Sequence, residues 1–563
     1  MSDTMQSTAP AKRLSGATAV LDNDDQTIAP PTPTTATSPR FDLDVAKADK
    51  ELKNAEAARG RFDDVTQTEA APGSDYVPPK LSQGRKWALL SILSLAMFID
   101  VLGYSAFFVL TESIARDLHV LYEQSSWVIT SYSVTFAAFL LFWGRVSDLY
   151  SATIVFVGGF TGLGLLSLII SFLKDKYSFF VIRALAGIAG SALIPSSYRL
   201  ITRIFEPQEL TLAFTVYGLS GAISNMCGTI IAGVLMINHG HGQLAAWRWF
   251  FRLLTVIILP ASVASYILIP RYPGSESGDV RVAKWRKLDL PGALMMCAGI
   301  VLIILGLTLG ASYGWKKAGF LAPFLLSWPL FIGFFLWENY LGDQALLPPK
   351  TWRIPNFTVL IILALEVYAW WGINFLPLTE YFITVANESA ILAATRSLPE
   401  GIIALFVTIL LGAVPVLVSR PKWTITVGLL LGATGYVLMA QPHTYVGTEY
   451  WRWIFPAMII GSGGNAAIFS AVNVAVMVSS PPEMAGVTGA VLQVALQVGV
   501  AVAFGVQAGL LTTNPGGLSN VDNIHASFYF QVGWVVVWLI GFVVLFRPGK
   551  APATDPEAAV PIA

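Results

Sequence analysis

Apolar residues along this chain gather into long unbroken runs instead of alternating with polar ones. Crossing a hydrocarbon layer takes about 20 residues of helix. Runs of that order lie near 88–110, 126–146, 153–173, 178–198, 210–236, 249–270, 289–311, 319–339, 357–383, 399–419, 423–440, 452–478, 486–511 and 527–546, fourteen in all. They are too long and too uniformly apolar for the two-residue alternation of a membrane β-barrel, so the pattern predicts an all-α polytopic membrane protein. The longest internal polar gap, about 271–288, carries the basic cluster "RVAKWRKLD" and separates the first six runs from the rest. Glycine recurs inside the runs, notably at 157–164, 218–233 and 461–464. Small residues let helices approach closely where no hydrophobic force drives them together. Residues 1–84 contain no apolar stretch of signal-peptide length. Their Ser, Thr, Pro and charged content, as in "APPTPTTATSPR", predicts a disordered tail.

Lys and Arg near the run ends set orientation. They are denser on the side that carries Arg85, Lys86, Arg145, Arg199, Arg203 and the 281–287 cluster, which predicts both termini in the cytosol. The same orientation puts the sequon Asn387-Glu388-Ser389 outside, as a glycosylation acceptor. The expected location is the plasma membrane, with a vacuolar or other endomembrane as the alternative. Apolar residues make up 55% of the chain and charged residues 12%, against about 25% charged in a soluble domain. The 35 basic and 35 acidic residues cancel, which removes the basic surface a nucleic-acid partner needs. Cys227 and Cys297 both fall inside apolar runs, so neither a disulfide framework nor a thiolate metal site is expected. No GxxxxGK[ST] loop, nucleophile elbow or histidine ligand spacing appears. ATP-driven pumping, enzyme chemistry, metals and cofactors are therefore not expected. The implied partners are the lipid bilayer, a small-molecule substrate and protons, with the chain acting as a monomer.

Ionisable groups inside a span are costly and are candidates for function. Asp100 ("AMFIDVLGYSAF"), Arg183 ("FFVIRALAGIAGSALIP") and Glu366 ("LALEVYAWW") are the chief ones. Each is a candidate for proton coupling or gating, and a structural ion pair or an interfacial snorkel is the alternative. Glu338 and Glu380 fall near run ends and read as interfacial. A buried carboxyl can exist neutral, so such a group can take up and release a proton as a cavity opens to either side. Trp370, Trp371, Asn374, Gln493 and Gln497 are candidate cavity residues. Gln493 and Gln497 are four apart and share a helix face. Hydrogen bonding between helices is the alternative for them.

The segment "GRVSDLY" between the second and third runs, with Gly144, Arg145 and Asp148, resembles the loop signature of the major facilitator superfamily. Leu149 and Ala152 stand where basic residues usually follow. Asp100 matches the first-span aspartate of that superfamily's fourteen-span drug:proton antiporter group. "RALAGIAGSALIP" resembles the fourth-span signature through Arg183 and Gly187. "GTIIAG", Gly228 to Gly233, resembles the antiporter signature of span five, with Thr229 in place of its proline. "AWRWFFRL" and "LDLPGALMM" resemble that group's flanks of spans six and seven. Other phrases are closest to the fungal branch of aminotriazole-resistance, boron-export and low-affinity ammonium proteins. The resemblance implies a tail (1–84), a six-span bundle (85–270), a basic link with two extra spans (271–345), a second six-span bundle (346–547) and a tail (548–563). It further implies secondary transport by alternating access, with a toxic compound, organic acid or secondary metabolite exported against inward proton flow. An ammonium- or borate-type facilitator and a non-transporting solute sensor are the rival expectations.

Overall fold

Polar residues at the edges of the apolar runs start the helices. The side chains of Ser82, Ser151 and Asp175 accept hydrogen bonds from the backbone N–H groups of Arg85 (3.4 Å), Ile154 (3.4 Å) and Ser178 (2.8 Å). Each thereby satisfies a donor that the first helical turn leaves free. The N–H of Ser178 also holds the Asp175 carboxyl below its usual pKa. The computed structural model describes residues 81–547 except 121–126, 207, 238–239, 241, 271–287, 343–344, 415–416, 419, 481–483 and 512. Residues 1–80 of the expected tail, the whole C-terminal tail and nearly all of the basic link lie outside the described residues; Gln83 and Gly84, expected in the tail, belong instead to the first helix, which Ser82 caps.

Among the described residues no strand occurs, and fourteen helices are long and apolar enough to cross a membrane. They are α1 (Gln83–Asp117), α2 (Trp127–Leu149), α3 (Ala152–Ile170), α4 (Lys176–Ile204), α5 (Leu210–Ile237), α6 (Ala246–Leu268) and α7 (Leu290–Gly310). The others are α8 (Ala318–Leu341), α9 (Phe357–Val385), α10 (Ala390–Ala413), α11 (Pro421–Met439), α12 (Gly447–Ser479), α13 (Ala485–Leu510) and α14 (Val521–Leu545). The protein is thus an all-α polytopic membrane protein. Helix α10 starts at Ala390, ahead of the apolar run expected near 399. Ser389 caps the added turn. Arg396, which interrupts the run, is neutralised by Glu388 through two bonds of 2.5 and 2.6 Å.

The pairing of helices repeats. Helix α1 packs on α5, α2 on α4, and α3 on α6; likewise α9 packs on α13, α10 on α12, and α11 on α14. The same three pairings in the same order mark two six-helix halves. The halves meet through α2 against α13 and α5 against α10. The hairpin α7–α8 lies outside both sets, with α7 against α2 and α13. Only 17% of the spanning window of α8 is buried, against 72% for α12. Helix α8 therefore faces lipid on most sides, and α12 is enclosed.

The two ends of the bundle are tied differently. At one end Lys86 reaches Glu209 (2.8 Å) and Arg85 donates to the carbonyl of Leu268 (3.0 Å). Lys86 holds the Glu209 carboxyl below its usual range. At the opposite end Arg248 donates to Asp117 (3.0 Å) and to the carbonyl of Leu173 (2.5 Å), and Trp247 Nε1 shares Asp117 (3.1 Å). Asn387 also lies at this second end. It is exposed, with φ +53°, in the left-handed region that Asn tolerates better than most residues.

Candidate functional site

The helices of both halves leave a cavity of about 990 Å³, counting space open to solvent, between α1, α2 and α5 on one side and α9, α10, α12 and α13 on the other. Its wall is aromatic, with Tyr104, Phe108, Tyr132, Tyr368, Trp371 and Phe469. Ser133, Asn225, Thr408 and Gln497 add neutral hydrogen-bonding groups, and among the described lining residues Asp100 is the one carboxyl. Among the described residues no Lys, Arg or His lines it. Large aromatic faces with a few convergent polar groups are the usual make-up of a small-molecule site.

Asp100 accepts a hydrogen bond from the Tyr132 hydroxyl at 2.9 Å. Tyr132 is fixed in turn by stacking on Phe136 (ring centroids 5.6 Å apart). A smaller cavity lies behind this pair, and Asp100 and Tyr132 line both chambers. Arg183 borders the smaller one. Among the described residues it forms no ion pair. Its guanidinium rests 3.5 Å from the centroid of Phe107 and 5.2 Å from that of Tyr132, and Nε donates to the carbonyl of Val128 (3.2 Å). Cation–π contact and a backbone carbonyl thus replace the carboxylate partner that a structural ion pair would have supplied. Tyr132 stands between the acid and the base. Gly187 makes that approach possible, because a β-carbon there would collide with Thr135 Oγ1 and the Tyr132 carbonyl of α2.

The other candidates divide. Trp371 and Gln497 line the central cavity; Trp370, Asn374, Gln493 and Glu366 do not. Trp370 is a packing residue. Its Nε1 donates to Ser462 (2.8 Å), its ring lies 4.5 Å from Tyr436, and Gly435 and Gly461 yield it space. Gln493 donates to the Tyr198 hydroxyl (3.2 Å), as does Asn473 (3.2 Å). Asn374 is fully buried with neither amide atom partnered among the described residues. Glu366 is buried beside Trp534 with Oε2 unpartnered. Glu400, absent from the sequence candidates, is equally buried, and neither of its oxygens has a partner. Glu338 departs from its interfacial expectation. It is 3% exposed and accepts from the backbone N–H of Leu347 at 2.7 Å.

At the end where α2 finishes, direct contacts close the gap between the halves. Asp148, at the end of α2, accepts from the backbone N–H groups of Gly486 (3.1 Å) and Val487 (2.9 Å) in the first turn of α13. Arg199 of α4 lies 3.5 Å away. A carboxylate at a helix N-terminus meets both free N–H donors and the positive end of the helix dipole. Gly144 presses on Ala490 and the Gly486 carbonyl, and the Tyr198 hydroxyl ties α4 to α12 and α13. The two glycines of α5 serve different neighbours. A β-carbon on Gly228 would strike Ser105 and come within 2.7 Å of the Leu102 carbonyl of α1, whereas one on Gly233 would meet Ile391 (3.1 Å) and Ala394 (3.5 Å) of the other half.

A profile described as Major Facilitator Superfamily matches residues 93–504. A puromycin resistance protein of Streptomyces alboniger is 30% identical over 422 residues, 74% of this chain and 80% of that protein. A cephamycin export protein of Amycolatopsis lactamdurans is 27% identical over 476 residues, 82% of this chain and 92% of that protein. Among solved structures, the human organic anion transporter MFSD10 (TETRAN) aligns with a TM-score of 0.55 at 13% identity, over 82% of this chain and 99% of that one. This last likeness is one of fold alone.

Proposed function

The chain belongs to the major facilitator superfamily and is a membrane transporter, and on that premise we propose that it is a proton-coupled exporter of aromatic or otherwise apolar small molecules, neutral or positively charged. The observation that carries the reading is the lining of the central cavity, where, among the described residues, six aromatic side chains surround a single carboxyl with no Lys, Arg or His. An anion would meet Asp100 with nothing to offset it. A cation or a hydrogen-bond donor would find its one charged partner there.

Coupling follows from competition. Among the described lining residues Asp100 is the one carboxyl that can exchange its charge for a proton, and Tyr132 supplies the hydrogen bond that orients it. A substrate seated against Asp100 excludes the proton, and a proton releases the substrate. Alternating access then requires the halves to rock about the site. The Asp148–α13 contact and the Tyr198 tie must break when the closed end opens. Export is supported by the signature of α5 and by the relatives named for resistance and export. In this reading the closed end and both termini face the cytosol, the protein works as a monomer in the plasma membrane, and Asn387 is glycosylated outside. Glu366 is held in reserve as a second coupling carboxyl.

The test is flux into proteoliposomes of the purified chain, with ethidium as the planar aromatic cation and puromycin as the second probe. Uptake driven by an imposed pH gradient, in the direction opposite to the protons, supports the proposal. Uptake that ignores the gradient identifies a facilitator, and binding without flux a sensor. Deleting the gene and comparing intracellular with extracellular metabolites would then identify the natural substrate.

A further inference from the structure

The α7–α8 hairpin belongs to neither six-helix half, yet its end beside the Asp148 contact is built from buried acids. Asp289 caps α7 with φ +46° and is 3% exposed. Its Oδ1 accepts from the Gly292 N–H (3.1 Å) and from Trp337 Nε1 of α8 (2.7 Å). Glu338, one residue further along α8 and equally buried, gives Oε2 to the Leu347 N–H (2.7 Å). The remaining oxygens, Asp289 Oδ2 and Glu338 Oε1, receive no N–H or hydroxyl donor. They face one another. Both crowd the space where a side chain on Gly292 would stand, and the two carboxyls are within hydrogen-bonding reach of each other.

Two carboxylate oxygens are both acceptors, so a contact between them requires something positive in the middle. A metal ion fits poorly. Calcium takes about six to eight oxygen ligands, and among the described residues no group of three or more metal-binding side chains occurs. The other oxygen of each carboxyl is already engaged by N–H donors. One hydrogen shared between the two oxygens meets the requirement with no further ligand.

We propose that Asp289 and Glu338 form a proton-binding site in which one shared proton holds the α7–α8 hairpin together at the closed end of the transporter. The charged groups facing it are Arg145 and Asp148, both from α2, and Arg145 interacts electrostatically with Asp289, Glu338 and Asp148 alike. The first turns of α7 and α13 and the 345–348 segment add no further charge. Arg286 and Lys287 precede Asp289 in sequence and lie outside the described residues. Asp148 has Arg199 as a second partner (3.5 Å), and loss of the proton leaves two buried negative charges that draw Arg145 away from the Asp148 contact. The hairpin thereby links proton availability on this side to the strength of the contact that closes it. The site is separate from Asp100 and the central cavity, and it rests on hydrogen-bond geometry alone, not on substrate or direction.

The experiment follows thermal unfolding of the purified full chain in detergent from mildly acidic to mildly basic pH. A folded state that holds a proton the unfolded chain releases loses stability as pH rises. Glu338→Gln and Asp289→Asn each supply an amide N–H in place of the shared proton. The midpoint of the wild type should fall with rising pH more steeply than that of either variant, so that the variants are the more stable at basic pH by a few degrees. Parallel profiles would overturn the proposal. So would a wild-type midpoint raised by calcium or magnesium and unmoved in the variants, which would make the pair a metal site. Failure of both variants to fold also counts against it, since each carries the hydrogen the proposal calls for.

Discussion

Replacing Asp148 by Ala removes the two hydrogen bonds, 2.9 and 3.1 Å, that join α2 to the first turn of α13. A hydrogen bond to a charged group contributes about 1.5–3 kcal/mol net of hydration. The two together therefore favour closure of this end by at least about 3 kcal/mol, a factor of about 100 or more between closed and open populations. The variant also removes the ion partner 3.5 Å from Arg199 within the first half, while the Tyr198 tie and the packing of Gly144 on Ala490 remain; matched expression and thermal unfolding of the variant separate loosening of this end from loss of fold. The assay is cysteine accessibility. Cys227 and Cys297 are first changed to Ser; at 297 this keeps the donor that now reaches the Ala138 carbonyl at 3.0 Å. Val487→Cys then places a thiol at a position that is 1% exposed beside the broken contact. In the proposed orientation, inverted vesicles present this end to a membrane-impermeant maleimide. Labelling should accelerate strongly in the Asp148→Ala background. Labelling at the parent rate would mean that Asp148 carries no closing energy, and the reasoning from helix N-terminal capture would fail.

Three further outcomes are expected. Tyr132→Phe removes the hydroxyl that donates to Asp100 while keeping the ring on Phe136, so the pH profile of transport should shift and gradient-driven flux should fall about tenfold, the lower end of the worth of a hydrogen bond to a charge; an unchanged profile would dismiss Tyr132. Gly228→Leu collides with the backbone of α1 and should abolish transport or folding, whereas Gly233→Leu meets the flexible Ile391 side chain and should reduce transport at normal expression; equal effects would contradict the assigned neighbours. In a cysteine-free chain, a thiol at 387 should react with external reagent and one at 284 should not, and the reverse pattern would invert the orientation.

The spans were legible because bilayer thickness demands long apolar runs, and the caps at Ser82, Ser151 and Asp175 sit where those runs begin. Neighbour relations were less so. Gln493 and Gln497 share a face as their spacing requires, but one turn along the axis separates Tyr198 from the cavity, and each amide meets what lies at its own depth. Trp370 looked like a cavity residue, and it is buried because Gly435 and Gly461, distant in sequence, make room for its ring. Glu338 looked interfacial because it is near a helix end; the Leu347 N–H and Asp289 that enclose it are brought there by the return of the chain. Tyr132 and Tyr198 gave no signal, since an aromatic in an apolar run reads as packing until the partner of its hydroxyl is seen. Arg183 was visible as a charge, but its aromatic surroundings come from α1, α2 and α6 and have no local trace.

The central claim is that substrate and proton compete for Asp100. Proteoliposomes containing the wild type and Asp100→Asn, matched for protein content, allow two fluxes of the same probe to be compared: exchange at equal pH, and net movement driven by a pH gradient. The amide keeps the shape and the hydrogen bond from Tyr132 but cannot take up a proton. The account predicts that the variant retains measurable exchange and loses the response to the gradient. Gradient-driven flux in Asp100→Asn equal to that of the wild type would contradict it and move the coupling to Glu366.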